Sequence, residues 1–186
     1  THALQRAGLA GAVFMPDPGP YHTQASIALT AAATEANSGA EDRGGAVLDN
    51  LSLSLSSHEE AIAKEPADWS LHYDAGVAAL NLLLAKAYAA GRSPMLDYAS
   101  IIPRVPGLRD WSAVAGSGTS PPEVGESAGS LASTASARDT AAYYRALSEA
   151  ELARVALAFL GAARERNPMA SQVRDAIDLV QQIRYD

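Results

Sequence analysis

The sequence predicts an all-α protein, and three observations support this prediction. Hydrophobic residues make up 48% of the 186-residue chain, but Phe and Trp number only 2 each, so the core must be built largely from small side chains. Apolar residues recur at three- and four-residue spacing over long segments, as in an amphipathic helix. Strand-favouring residues are sparse. We therefore expect a single helical domain over residues 1–186, arranged as antiparallel helix pairs or as an irregular helical bundle.

The N-terminal segment is predicted to be irregular and to be followed by two helices. Residues 1–22 are expected to form an irregular arm, because Pro16, Pro18, Gly19 and Pro20 break a helix. Thr23 is then expected to cap a helix that runs to about Asn37. The next helix is expected from about Ala46 to Lys64. Alternation of leucine with serine over 51–55 also fits a strand, but the longer register of apolar residues favours a helix. This register comprises Leu48, Leu51, Leu55 and Ile62.

The strongest helical signal lies between residues 69 and 90. Asp68 is a good cap, and Gly91 follows the last periodic residue. This segment carries two apolar stripes, whereas a surface helix needs only one. We therefore expect it to be covered on both sides or to leave one stripe for a partner. The stripes are Leu71, Ala75, Ala78 and Leu82, and Tyr73, Val77, Leu80, Leu84 and Tyr88.

Residues 93–138 are predicted to form a long ordered loop insertion. Its first part, 93–111, is apolar and rich in proline, so we expect it to pack on the helices. Its second part, 112–137, is of low complexity, with Gly, Ser, Ala, Thr and Pro predominating. A segment of this composition is flexible unless it is held in place. We expect the protein's own surface or a neighbouring molecule to hold this arm.

The C-terminal third is predicted to contain three helical segments. The first begins over Ala141–Leu147, and Ser148 with Glu151 forms a capping box that starts the second. We expect Asn167 to cap the last helix and Pro168 to occupy its first position. This last helix has one apolar stripe, formed by Val173, Ala176, Ile177, Val180 and Ile183.

Two junctions between helices share an alanine and a proline five residues apart. They are Ala61 with Pro66 and Ala163 with Pro168, and the two prolines are separated by 102 residues, or three periods of about 34. With the following Ala75-Gly76 pair, the first junction resembles the boundary between two tetratricopeptide repeats. The second junction departs from the pattern at Ile177-Asp178, where the small-Gly pair is missing, and residues 93–138 carry no recognisable repeat.

The resemblance implies a protein that binds partners in a concave groove lined by the first helix of each pair. On the 69–90 helix the residues that face this groove would be Tyr73, Val77, Leu80, Asn81 and Leu84. A helix or an extended segment of a partner would dock there, with Asn81 fixing its register. The alternative is that the N-terminal segment or the 101–108 loop covers this stripe internally.

Composition and spacing exclude several kinds of chemistry. The net charge is −7 and no cluster of Lys or Arg occurs, so we expect no nucleic-acid binding. The chain has no cysteine, which excludes thiolate sites and disulfides. None of the four histidines has a second His, or a Glu three residues before it, at helical ligand spacing, so we predict no metal site and no cofactor. These histidines are His2, His22, His58 and His72.

Three local patterns are interpreted as structural rather than chemical. His58, followed by Glu59 and Glu60, is predicted to lie on a solvated helix face, and His72 to be packed or solvent-facing. Gly116-Ser117-Gly118 lacks the five-residue pattern of a nucleophile elbow. The sequence therefore favours a protein that is not an enzyme.

We hypothesise a non-catalytic interaction or structural subunit that binds a protein partner, or a second copy of itself, through the groove and the arm. The alternative is an exported helical domain that binds a small ligand; a closed cavity at the stripe would favour it over the groove. No stretch reaches 18 apolar residues, so no membrane span is expected. Alanine richness, with lysine only at 64 and 86, favours a bacterial protein from a GC-rich genome. Thr1 fits removal of an initiator methionine or of a signal peptide, so the cytoplasm and an exported location both remain open.

Overall fold

The computed structural model describes residues 18–118 and 135–183, and it confirms the predicted fold class. These residues form seven α-helices and one short 3-10 turn, Ser112–Val114, with no strand among them. The helices are α1 Gly19–Ala36, α2 Arg43–Lys64, α3 Trp69–Ala89, α4 Tyr98–Ile101, α5 Ala135–Ala146, α6 Glu149–Arg166 and α7 Ser171–Gln182. No helix in the described part is long and apolar enough to cross a membrane.

Helix α3 forms the centre of the bundle. Nearly every residue from Leu71 to Ala89 is buried, because α2 and α6 pack against it and the 93–118 loop lies over the remaining face. The other helices form an outer layer, in which α1 and α5 pack on α2 and α7 packs on α6. Gly76 allows the closest approach, since a Cβ atom at this position would lie 2.6 Å from Cγ of Leu160 on α6. Both predicted stripes of α3 are therefore covered.

Small side chains hold α1 against α2. Every fourth residue of α1 is a buried alanine between Ala28 and Ala36, and four serines of α2 are buried as well. One of them, Ser54, donates a hydrogen bond of 2.9 Å from Oγ to the carbonyl oxygen of Ala25. The Ser52 and Ser54 hydroxyls satisfy their own polarity through backbone carbonyls while leaving the helices close together. The alternation of leucine and serine therefore belongs to a helix, as its longer register predicts.

Two predicted helix starts are confirmed by their caps. The Asp68 carboxylate accepts a 2.8 Å hydrogen bond from the backbone N–H of Ser70 at the start of α3. At the start of α6 the Ser148 hydroxyl accepts from the N–H of Glu151, while the Glu151 carboxylate accepts from the N–H of Ser148 at 2.8 Å. At the other end of α3, Gly91 adopts φ +77°, a conformation that favours glycine.

Four other helix starts differ from the prediction, and one of them is that of α2, which begins at Arg43, three residues before the predicted Ala46. Helix α1 begins at Gly19 instead of Thr23, because Pro20 lies in the first turn, where its missing N–H costs nothing. Helix α5 begins at Ala135, six residues before the predicted Ala141. Helix α7 begins at Ser171 instead of Pro168, since Asn167 ends α6 and residues 167–170 form a turn.

The loop insertion packs on the bundle over its described part. Val105, Leu108 and Trp111 are buried against α3 and its neighbours. Residues 112–118 are held by the chain itself: the Arg43 guanidinium donates to the carbonyl oxygen of Ala113, and the N–H of Gly116 donates to that of Tyr88 at 3.0 Å. The start of the arm therefore lies on the protein's own surface. Residues 1–17 of the predicted N-terminal arm and 119–134 of the low-complexity segment lie outside the described residues.

Candidate binding pocket between helices α1, α2 and α3

The five residues predicted to line a groove, Tyr73, Val77, Leu80, Asn81 and Leu84, are all buried, and none is more than 5% exposed. The 93–118 loop covers this face, with the Tyr73 hydroxyl donating to the carbonyl oxygen of Pro106 at 3.0 Å. Gly107 packs directly on Val77, since a Cβ atom at Gly107 would lie 3.3 Å from the Val77 side chain. The expectation of an open groove is therefore corrected: the stripe is covered internally, which is the alternative that the sequence left open.

Asn81 anchors the covering loop. Its Nδ2 donates to the carbonyl oxygen of Gly107 at 3.0 Å, and its Oδ1 accepts from the backbone N–H of Arg109 at 3.0 Å and from Nε1 of Trp111 at 2.9 Å. Both polar atoms of this fully buried amide are thus hydrogen-bonded. Asn81 fixes a segment of its own chain, where the sequence predicts a contact to a partner.

Beside the covered face lies a pocket of about 210 Å³ between α1, α2 and α3. Residues of α1 form one wall of the pocket, buried residues of α2 form the second, and residues of α3 form the third. Two of the predicted groove residues, Val77 and Asn81, border it. The residues that line it are His22, Ser26, Leu29, Ser54, His58, Asp74, Val77, Ala78, Asn81 and Gly107.

Three ionisable side chains converge in this pocket, one from each helix. They are His22 of α1, His58 of α2 and Asp74 of α3, and each offers one ligand-type atom within 4.8 Å of the others. The His22 Nδ1 and Asp74 Oδ2 atoms are 3.8 Å apart, and the two imidazole rings meet edge to face with centroids 5.6 Å apart. A distance of 3.8 Å exceeds a hydrogen bond. The three side chains therefore lie close together, and His22 and Asp74 are not hydrogen-bonded to each other.

Burial sets the protonation of this cluster. His58 is 6% exposed, and its Nδ1 atom has no hydrogen-bond partner among the described residues. Burial, with a smaller contribution from the charge of His22, lowers the pKa of His58 to about 3. Burial also raises the pKa of Asp74 to about 6, although His22 opposes this shift. At pH 7 the pocket therefore holds a neutral imidazole close to a mostly ionised carboxylate.

No sequence spacing could have identified this cluster. The three residues are 36 and 16 positions apart and come together only through the packing of three helices. The prediction that His58 lies on a solvated face is wrong, because α1 covers that face of α2. His72, predicted to be packed or solvent-facing, is buried with Nε2 2.9 Å from the carbonyl oxygen of Pro66 and lies outside the cluster.

A second concave surface lies between α2 and α5. It is a hollow of about 550 Å³ lined by Ser56, Glu59, Glu60, Ala63, Asp139, Thr140, Tyr143 and Tyr144. The Tyr144 hydroxyl donates to Glu59 at 2.8 Å, while the Tyr143 ring, 59% exposed, lies 5.4 Å from the Tyr144 ring. We refer to this surface as the tyrosine hollow. Its carboxylates and an exposed aromatic face give it the chemistry of a site for cations.

Comparison of the chain with protein-family models, with curated proteins and with solved structures gives no match. The function is therefore argued from the geometry of the pocket and of the tyrosine hollow.

Proposed function

We propose that this protein is a non-catalytic helical binding domain whose ligand is small and polar and occupies the pocket between α1, α2 and α3. The observation that carries the proposal is His58, a buried imidazole that lies in the pocket with His22 and Asp74 and whose Nδ1 finds no partner among the described residues. A buried polar atom without a partner is costly, and a bound ligand would supply the missing interaction.

The size and access of the pocket support a small ligand. Its volume of about 210 Å³ lies below the roughly 300–1,000 Å³ of sites for drug-sized molecules. A ligand could enter beside His22, whose side chain is 46% exposed, whereas Asn81 and the 93–118 loop close the other side. Access on one side and closure on the other are the geometry of a binding site rather than of a passage.

The proposal is tested by blocking the pocket mouth. Ser26 is exposed and borders the pocket, so Ser26→Phe should fill its entrance without disturbing the core. Thr30→Phe, one turn further along the same exposed face of α1 and outside the pocket lining, is the matched control. NMR titration of the full chain with acetate, inorganic phosphate, methylamine and Zn²⁺ should give saturable shifts at His22 and Val77 for at least one probe.

We expect Ser26→Phe to weaken that binding by at least about tenfold and Thr30→Phe to leave it within about twofold, because only the first side chain enters the pocket. Absence of binding by all four probes, or equal affinity in the two variants, would overturn the proposal.

A protein-interaction role is the second candidate function, and the exposed Tyr143 ring favours it. In the tyrosine hollow this ring lies beside Glu59, Glu60 and Asp139. A cationic side chain of a partner, arginine above all, would stack on the ring and pair with the carboxylates. The tyrosine hollow, and not the buried stripe of α3, would then be the surface that contacts a protein partner.

Fluorescence anisotropy with a labelled, glycine-flanked arginine peptide tests this second candidate. Tyr143→Ser should weaken binding about threefold, the effect expected from loss of one exposed cation–π contact. Met169→Ser, which removes an 87% exposed apolar side chain elsewhere, is the control and should leave binding unchanged. Equal binding by both variants would remove the hollow from consideration.

A further inference from the structure

We infer that the ligand of the pocket is a divalent first-row transition-metal ion of the zinc class, held by His22, His58 and Asp74. This inference rests on the proposed function, since it names the ligand of the same pocket. Two imidazoles and one carboxylate are a ligand set that zinc sites with an open fourth position use, and the three side chains come from three different helices.

The distances between the ligand atoms of these three side chains are compatible with binding of one metal ion between them. Tetrahedral coordination with metal–ligand bonds of about 2.0–2.1 Å places ligand atoms about 3.4 Å apart. The His22 and Asp74 ligand atoms are 3.8 Å apart, and all three lie within 4.8 Å of one another. The side chain of His22, 46% exposed, is the most exposed of the three and has the most room to rotate toward the other two.

The chemistry of the ligand atoms selects the class of ion. Imidazole nitrogens suit Zn²⁺, Co²⁺, Ni²⁺ and Cu²⁺, whereas Mg²⁺ and Ca²⁺ prefer oxygen ligands alone. With three protein ligands, the fourth position of a tetrahedral ion would face the rest of the pocket, where water or a small anion would complete the coordination. The ion would also tie α1 to α2 and α3 at this point.

Isothermal titration of the full chain, freed of metal by EDTA and dialysis, with Zn²⁺ tests the inference. We expect one equivalent to bind, and Mg²⁺ not to bind. His22→Gln, His58→Gln and Asp74→Asn should each weaken Zn²⁺ binding by at least about tenfold, as expected for loss of a ligand. His72→Gln is the matched control, because it replaces another buried histidine, outside the cluster, and should leave the affinity within about twofold.

A second measurement keeps the inference testable should a variant not fold. In the wild-type chain, Zn²⁺ should shift the side-chain nitrogen resonances of His22 and His58 and leave those of His72 unchanged. Failure of Zn²⁺ to bind, or binding that shifts neither cluster histidine, would overturn the metal assignment. If acetate or phosphate occupies the pocket under those conditions the proposed function stands without the metal, and if no probe binds there both fall.

Discussion

Two regions that border the pocket differ in how they satisfy buried polar groups. Where the 93–118 loop closes the pocket, the amide of Asn81 makes three hydrogen bonds of 2.9–3.0 Å. Where α1 and α2 meet α3, Nδ1 of the buried His58 has no partner among the described residues. A satisfied buried polar group stabilises the fold, whereas an unsatisfied one that lies beside two other ionisable side chains in a pocket is a candidate for ligand binding.

The largest difference should appear on replacing Asn81. Asn81→Leu keeps the volume but leaves the carbonyl of Gly107, the N–H of Arg109 and the indole N–H of Trp111 without their partner. At about 1–3 kcal/mol for each unsatisfied buried group, we expect a loss of about 4 kcal/mol in the free energy of unfolding. Urea unfolding measures it. A loss below about 1 kcal/mol would mean that the loop does not depend on this amide.

The tight packing of α3 on α6 predicts the next largest effect. Gly76→Ala would place a methyl group 2.6 Å from Cγ and 2.8 Å from Cδ2 of Leu160, whereas Gly161→Ala meets nothing within 4 Å. Overpacking costs about 1–3 kcal/mol, while alanine in an open helix position gains up to about 1 kcal/mol. We expect the two variants to differ in stability by about 3 kcal/mol, measured by thermal unfolding. Equal stabilities would show that α6 moves away freely.

Where α1 and α2 meet α3, the buried His58 should make the metal-free protein less stable in acid. The pKa of His58 is about 3 in the folded protein and 6.5 in the unfolded chain. The unfolded chain therefore takes up the proton first, and the free energy of unfolding falls as the pH falls from about 6.5 toward 3. Between pH 7 and pH 5 this contributes a loss of about 2 kcal/mol.

Urea unfolding with EDTA at pH 7 and pH 5 measures this contribution. His58→Gln should lack it, while the contribution of the neighbouring Asp74 remains in both proteins. An identical change in stability for wild type and variant would contradict the burial of a neutral His58.

The smallest effect is expected from Asp74, and its sign is opposite. Because burial raises its pKa to about 6 from 3.8, its ionised form destabilises the folded state, and this cost grows as the pH rises from about 4 to 6. Asp74→Asn should therefore stabilise the metal-free protein at pH 7 by about 1 kcal/mol, after discounting for the solvent-exposed third of the side chain. Below pH 4 this gain in the free energy of unfolding should vanish. An Asp74→Asn variant that is less stable than wild type at pH 7 would contradict the prediction.

The parts of the fold that depend on neighbouring residues could be predicted from the sequence. The caps at Asp68 and Ser148, and the span of α3, follow from local hydrogen bonding and periodicity, and the structure has them. The start of α7 could not be predicted from Asn167 and Pro168, because the chain makes a turn there before the helix begins. A proline permits a helix start at its own position but does not require one.

The candidate site is formed by residues that lie far apart in the sequence, so sequence patterns could not predict it. The two stripes of α3 predicted either double coverage or a groove, and only the position of the 93–118 loop decides between these alternatives. His22 and His58 carry no ligand spacing, since each ligand comes from its own helix. The resemblance to tetratricopeptide repeats stays a prediction; its Gly76 does permit close packing, although against α6 and not against a neighbouring helix in the chain.

The pairing of α5 with α2 and of α6 with α3 has a consequence for a chain that has been cut. These contacts join residues 18–118 to residues 135–183 in one core, and the Arg166 side chain also donates to the carbonyl oxygen of Pro66 at 2.8 Å across that division. Cleavage between 119 and 134 would yield two fragments with complementary apolar faces. The protein is thus a natural candidate for fragment complementation, in which two separately expressed pieces reassemble and report on each other's presence.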